Sequence, residues 1–235
     1  MTTNIKLGDP GQNSYVTATM ADLYFSDRRD TSAWDTLVAT TKTKTLKHAA
    51  RDMNRFNFIE SRYYDFQGLA FPLSDHEVVT GNCATPITDK TFKNTNLRST
   101  TYGVFPTSYW KYGSVHITSG TPIYDIRLIA SSNVVTGSIT IASRFSATPT
   151  VNTKFILFAP IFKEVRDAQC EQALFILDSS GMDSLQNYKD IADEVEIGDV
   201  RVQFRQGNQT KIPLSPVARK LLSRWIRRRS KIARR

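Results

Sequence analysis

With 235 residues, 40% of them apolar and 11% aromatic, the chain can bury the core of one large domain or two small ones, which excludes a disordered coat. Its formal net charge of +9 resides in one place: the stretch from Val217 onward holds nine Lys/Arg and no acid, so 22 basic residues remain to balance the 22 acidic ones elsewhere. Such a distribution excludes a uniformly basic surface and predicts a self-folding body whose cationic end meets an anionic partner: nucleic acid, a membrane surface or an acidic protein socket.

The opening residues include Gly8, Pro10, Gly11, Asn13 and Ser14 and lack the apolar run of a secretory signal, so 1–14 reads as a flexible arm on a protein made in a cytosol. Thr17 is a candidate N-cap, and Met20, Leu23 and Tyr24 at i, i+3, i+4 predict a short helix ending near Arg28. Ala33, Trp34 and Leu37 predict a further helical turn, and Leu46, Ala49, Ala50, Met53 and Phe56 trace an amphipathic helix from about Thr41. Lys42, Lys44, Lys47 and Arg51 fall on its other side. They could touch phosphates, but a charged outer face facing solvent is the ordinary outcome and is the expectation here.

After Pro72 the 3.6-residue period disappears, and 73–112 reads mostly as long polar loop. Four strands are expected beyond it: Val115 and Ile117; Ile123, Ile126, Leu128 and Ile129; Ile139 and Ile141; and Phe155 to Phe158. Helical period returns at Pro160, with Cys170, Ala173, Leu174 and Leu177 at i, i+3, i+4, i+7 before Ser179-Ser180-Gly181. A shorter helix is expected over Met182, Leu185, Tyr188 and Ile191, then a hairpin at about 195–204 across Gly198-Asp199. Ser215 as N-cap and Pro216 at N1 start a final helix with Val217, Leu221, Leu222 and Trp225 as its apolar stripe. The expected class is α+β, a helical scaffold over 15–72 and 159–214 with a small β-sheet or barrel inserted at 73–158 and a basic helix at 215–235.

Few residues propose chemistry. His48, His76 and His116 stand apart with no partner at ligand or triad spacing, and the sequence holds no phosphate-cradling glycine loop. Cys83 and Cys170 match neither a disulfide framework nor a metal site. Asp190, Asp193, Glu194, Glu196 and Asp199 cluster, without the spacing of a calcium loop, and read as a solvated edge or a contact with a neighbouring subunit or partner. No enzyme, metal or cofactor is expected.

Taken together, the helical halves carry an ordered set of motifs: Ser14-Tyr15-Val16-Thr17, Ala21-Asp22-Leu23-Tyr24-Phe25, Ala33-Trp34-Asp35 and Phe66-Gln67-Gly68-Leu69-Ala70-Phe71-Pro72. The second half continues it with Ala159-Pro160-Ile161-Phe162-Lys163-Glu164-Val165-Arg166-Asp167-Ala168-Gln169-Cys170-Glu171-Gln172-Ala173-Leu174 and Ile212-Pro213-Leu214-Ser215-Pro216-Val217. This pattern resembles the head-to-tail connector adaptors of tailed bacteriophages, a family also labelled DnaT-like single-stranded-DNA-binding protein. The resemblance implies a helical-bundle subunit of a ring, usually twelvefold, in the virion neck between the portal and the tail proteins. Its partners would be copies of itself, the portal, tail or neck proteins and the packaged double-stranded DNA, with no membrane. On this expectation the final helix docks on the portal through Leu221, Leu222 and Trp225, while Arg219, Lys220, Arg224, Arg227, Arg228, Arg229, Lys231, Arg234 and Arg235 meet acidic portal residues or DNA. The alternative is a sequence-indifferent nucleic-acid binder using the same arginine-rich end, with Trp225 stacking on bases. A membrane-surface helix is a third, weaker reading of that amphipathic segment.

Overall fold

The computed structural model describes residues 2–97, 108–178, 194–197, 200–203 and 215–227. They form a mixed α+β chain of two compact units: Met1–Thr3, Ser14–Asn57 and Glu164–Arg235 make an α unit, and Asn4–Asn13 with Phe58–Lys163 make a β unit. The division falls after Asn57 rather than after Pro72, because the aromatic-rich stretch beyond it packs with the strands. Phe158 receives the edge of the Tyr63 ring at 4.8 Å, and Phe58 meets Phe71 at 4.9 Å.

The α unit contains α1 (Ala18–Ser26), α2 (Ser32–Asp35), α3 (Ala39–Met53), α4 (Lys163–Leu177, starting at the last residue of the β unit) and α5 (Pro216–Leu221). Thr17 caps α1 as expected, its side chain accepting from Met20 N at 3.2 Å. The buried face of α1 is rotated from the expected stripe: Ala21 and Phe25 are buried while Leu23 is 67% exposed. Phe25 wins because its ring packs on the buried Trp34 at 5.0 Å, and together with Val16, Leu46, Ala49, Cys170 and Ala173 they form one core. The hairpin is present as β7 (Glu194–Ile197) and β8 (Val200–Gln203), pairing Glu194 with Gln203 and Ile197 with Val200. The helix expected over 182–191 lies outside the described residues, as does Phe204.

The β unit is a curled six-stranded antiparallel sheet in the order β1-β6-β3-β4-β5-β2, built from β1 (Val78–Asn82), β2 (Thr91–Lys93), β3 (Ser114–Ser119), β4 (Ile126–Asn133), β5 (Ser138–Ile141) and β6 (Lys154–Phe158). Its two outer strands lie in the stretch read as loop. β1 has few apolar residues, and its pairing with β6 from Val78↔Phe158 to Asn82↔Lys154 makes it a strand. Gly81 suits this place, since a Cβ there would lie 2.5 Å from Asn94 Nδ2, which donates to Asn82 O at 2.7 Å. Val79, Phe92, Val115, Ile117, Ile129, Ile139, Ile141, Phe155 and Leu157 fill the concave core.

Residues 4–13, read as part of a flexible arm, are irregular but packed. Ile5 and Leu7 are buried, Leu7 N donates to Ser114 Oγ at 2.8 Å, and His116 Nε2 donates to Leu7 O at 2.6 Å. Gly8 follows at φ +72, where a Cβ would lie 2.8 Å from His116 Cε1, so the turn takes glycine for both backbone and space.

Candidate functional site

The C-terminal segment starts where the sequence places it. Ser215 Oγ accepts from Ala218 N at 3.4 Å and Pro216 occupies the first turn, but the helix closes after six residues and the chain continues in turns to Arg227. Its apolar side is largely covered: Ala218 and Leu222 are 0% exposed and Trp225 4%, while Leu221 is half-buried and Val217 is 45% exposed. Of the expected docking stripe, Val217 and Leu221 keep accessible surface in the single chain. Leu222 and Trp225 are buried in the single chain, and a buried indole is no platform for a nucleobase.

Polar contacts fix the same segment. Gln172 on α4 accepts from Ser215 N at 2.8 Å and donates to Asp52 of α3 at 3.3 Å, and all three residues are buried. At the far end Arg227 N donates to Asn57 O at 2.9 Å, four residues beyond the end of α3. The Arg224 guanidinium lies over the Trp225 ring, 4.1 Å from its centroid. Arg219, Lys220, Arg224 and Arg227 are exposed. Arg228, Arg229, Lys231, Arg234 and Arg235 lie outside the described residues, as do Asp190, Asp193 and Asp199. Glu194 and Glu196 stand on β7, opposite Gln203 and Arg201.

A second set of residues joins the two halves of the α unit. Gln169, 0% exposed in the middle of α4, accepts from Tyr15 N at 2.8 Å and donates through Nε2 to Ser14 Oγ and to Leu46 O, each at 2.8 Å. Two residues on, the buried Glu171 carboxylate receives the Tyr24 hydroxyl and pairs with Arg28, tying α4 to α1. Burial pushes the Tyr24 phenol above its ordinary range, and the nearby Asp167 and Cys170 act in the same direction against Arg28. Sequence reasoning, following the apolar period through Cys170 and Ala173, missed that Gln169, Glu171 and Gln172 are buried as well. No periodic signal marks them, since long polar residues interleaved with an apolar stripe ordinarily face water.

The histidines separate by unit. His48 is exposed on α3, whereas His76 and His116 are buried in the β unit and donate to Ala159 O at 2.8 Å and Leu7 O at 2.6 Å. Burial outweighs these bonds: it lowers the His76 pKa and takes that of His116 down to about 4. Cys83 is a free, buried thiol whose pKa burial raises to about 12. Among the described residues no three His, Cys, Asp or Glu side chains gather as a metal site, and no helix is long and apolar enough to cross a membrane. The sequence matches no protein-family model, and a search of curated proteins finds no match.

Proposed function

We propose that this chain is a head-to-tail adaptor, a structural subunit that assembles into a ring between the portal and the tail proteins of a tailed bacteriophage. One observation carries the reading. Ser14-Tyr15 and Gln169-Cys170, motif segments from the two halves of the resemblance, are buried together, and the Gln169 carboxamide serves the first of them, 2.8 Å from Tyr15 N and 2.8 Å from Ser14 Oγ. Polar satisfaction of this kind makes the pairing specific, because a buried amide with displaced partners is costly. Convergence in space of two segments matched by motif order supports the connector reading.

In this reading the α unit is the adaptor scaffold, the β unit an inserted module that presents surface to neck or tail proteins, and the place of action the virion neck. Exposed Arg219, Lys220, Arg224 and Arg227 supply charge toward an anionic partner, while Leu222 and Trp225 hold the segment in place. Heterologous contacts between identical copies close a ring when the rotation between them divides a full turn. Negative-stain micrographs of the purified chain, alone and mixed with the cognate portal, test the proposal. Rings, or portals bearing a second stacked ring, are expected; dispersed monomers beside bare portals would overturn it.

A further inference from the structure

We infer that the outer face of α3 and the C-terminal segment together form a binding surface for the phosphate backbone of double-stranded DNA, indifferent to sequence. At 100° per residue, Lys44, Lys47, His48 and Arg51 fall within an arc of about 100°, and Arg55 continues the row just past the helix. Lys44, His48, Arg51 and Arg55 are exposed, and Lys47 is half-buried. Lys42 belongs elsewhere, since its ammonium is bound to Asp22 at 2.8 Å and lies over Trp34.

The row is of one sign. Every ionisable side chain at an exposed position of α3 is basic, and its one acid, Asp52, is buried beside the row, 3.8 Å from His48 and 3.9 Å from Arg55. A helix face adapted only to water mixes signs, because like charges at i, i+3 and i, i+4 repel. Here Lys44 and Lys47, Lys47 and Arg51, and Arg51 and Arg55 stand at those like-charged spacings. Asp52 offsets this cost at the His48 and Arg55 end, while among the described residues Lys44, Lys47 and Arg51 have no acidic partner, and a local cost left standing marks a surface shaped for a partner.

The fold adds the second half. The 2.9 Å bond from Arg227 N to Asn57 O brings the C-terminal segment to the end of this row, two residues from Arg55. Two basic elements far apart in sequence thus meet within one unit, the second bringing Arg219, Lys220, Arg224 and Arg227 at exposed positions. From Lys44 to Arg55 the row is about 16 Å long at 1.5 Å per residue, and duplex DNA presents one charge per ~1.7 Å of its axis. A straight run of cations at regular spacing suits a regular polyanion better than a short acidic peptide of irregular charge. The inference names the anionic partner left open in the adaptor reading and rests on it to that extent; its test uses DNA alone, without portal, so either can fail without the other.

Anisotropy titrations of a labelled 30-base-pair duplex with the full chain, between 50 and 200 mM salt, provide the measurement. The wild type binds, and the triple variant Lys44→Gln, Arg51→Gln, Arg55→Gln binds more weakly at every sequence tried. Its slope of log K against log salt is shallower by about 2.7, so its affinity falls about 40-fold less across that range. A matched control on the β unit, Lys90→Gln, Lys111→Gln, Lys154→Gln, keeps the wild-type slope. An unchanged slope in the α3 variant, an equal loss in the control, or no binding by the wild type overturns the inference. So does displacement of the duplex by polyglutamate as completely as by unlabelled duplex at equal charge, which would assign the face to an acidic protein. Should the triple variant melt early, Arg51→Gln alone is used, with an expected slope change of about 0.9.

Discussion

Replacing Gln169 by Leu keeps the size of the side chain and deletes its hydrogen bonding at the point where the two halves of the α unit join. Three contacts disappear, from Tyr15 N and to Ser14 Oγ and Leu46 O, each 2.8 Å long and buried. Their losses are unequal. Ser14 Oγ keeps its bond to Val16 O at 2.7 Å, and Leu46 O sits inside α3, whose ladder still uses it, so each costs about 1 kcal/mol or less. Tyr15 N loses its buried side-chain acceptor, a loss of about 1–3 kcal/mol. The sum is about 2–4 kcal/mol, which for a chain of this size lowers the melting temperature by about 5–15 °C. Differential scanning calorimetry measures the shift, and hydrogen exchange at the Tyr15 amide reports its source: protected in the wild type, fast in the variant. A melting temperature within 2 °C of wild type, with Tyr15 still protected, would show that this network is not what joins the halves.

Leu222→Ala leaves a cavity at a fully buried position and is expected to cost about 2–5 kcal/mol in the isolated chain; an unchanged urea midpoint would show that the segment is not anchored on its own subunit. His116 makes stability depend on pH. Its folded pKa of about 4 lies below the unfolded 6.5, so the unfolded chain takes up the proton first. Its contribution is therefore complete above about pH 6.5 and is lost as pH falls toward 4, about 3 kcal/mol in all, with His76 shifted in the same direction. Urea midpoints at pH 7, 5.5 and 4 follow this loss, and His116→Gln should flatten the curve over that window. Cys83, with its thiol held at about 12, should resist maleimide at pH 7 until the protein is unfolded, and fast labelling of the native chain would contradict its burial.

Local grammar was legible where a few neighbouring residues decide the outcome. The Thr17 and Ser215-Pro216 caps act within one turn, and the alternation in β3 to β6 reflects a sheet buried on one face. What escaped the sequence depends on partners distant along the chain. β1 and β2 are strands because β6 and β5 offer them backbone groups, not because Val78–Asn82 or Thr91–Lys93 is apolar enough alone. Residues 4–13 look like an arm until Ser114 and His116 take the backbone of Leu7. The same holds for the candidate surfaces. Counting charge found the C-terminal cations, but only the fold shows that Leu222 and Trp225 face inward and that Arg227 ends beside α3. Side chains that link separate segments, Gln169 and Gln172 above all, carry no periodic signature in a helix read by its apolar stripe.

The adaptor claim is tested most directly by sedimenting the purified chain with isolated portal rings through a density gradient. The chain is expected to leave the top of the gradient and migrate with the portal at a fixed ratio of one subunit per portal subunit. A chain that stays at the top while the portal sediments alone would contradict it.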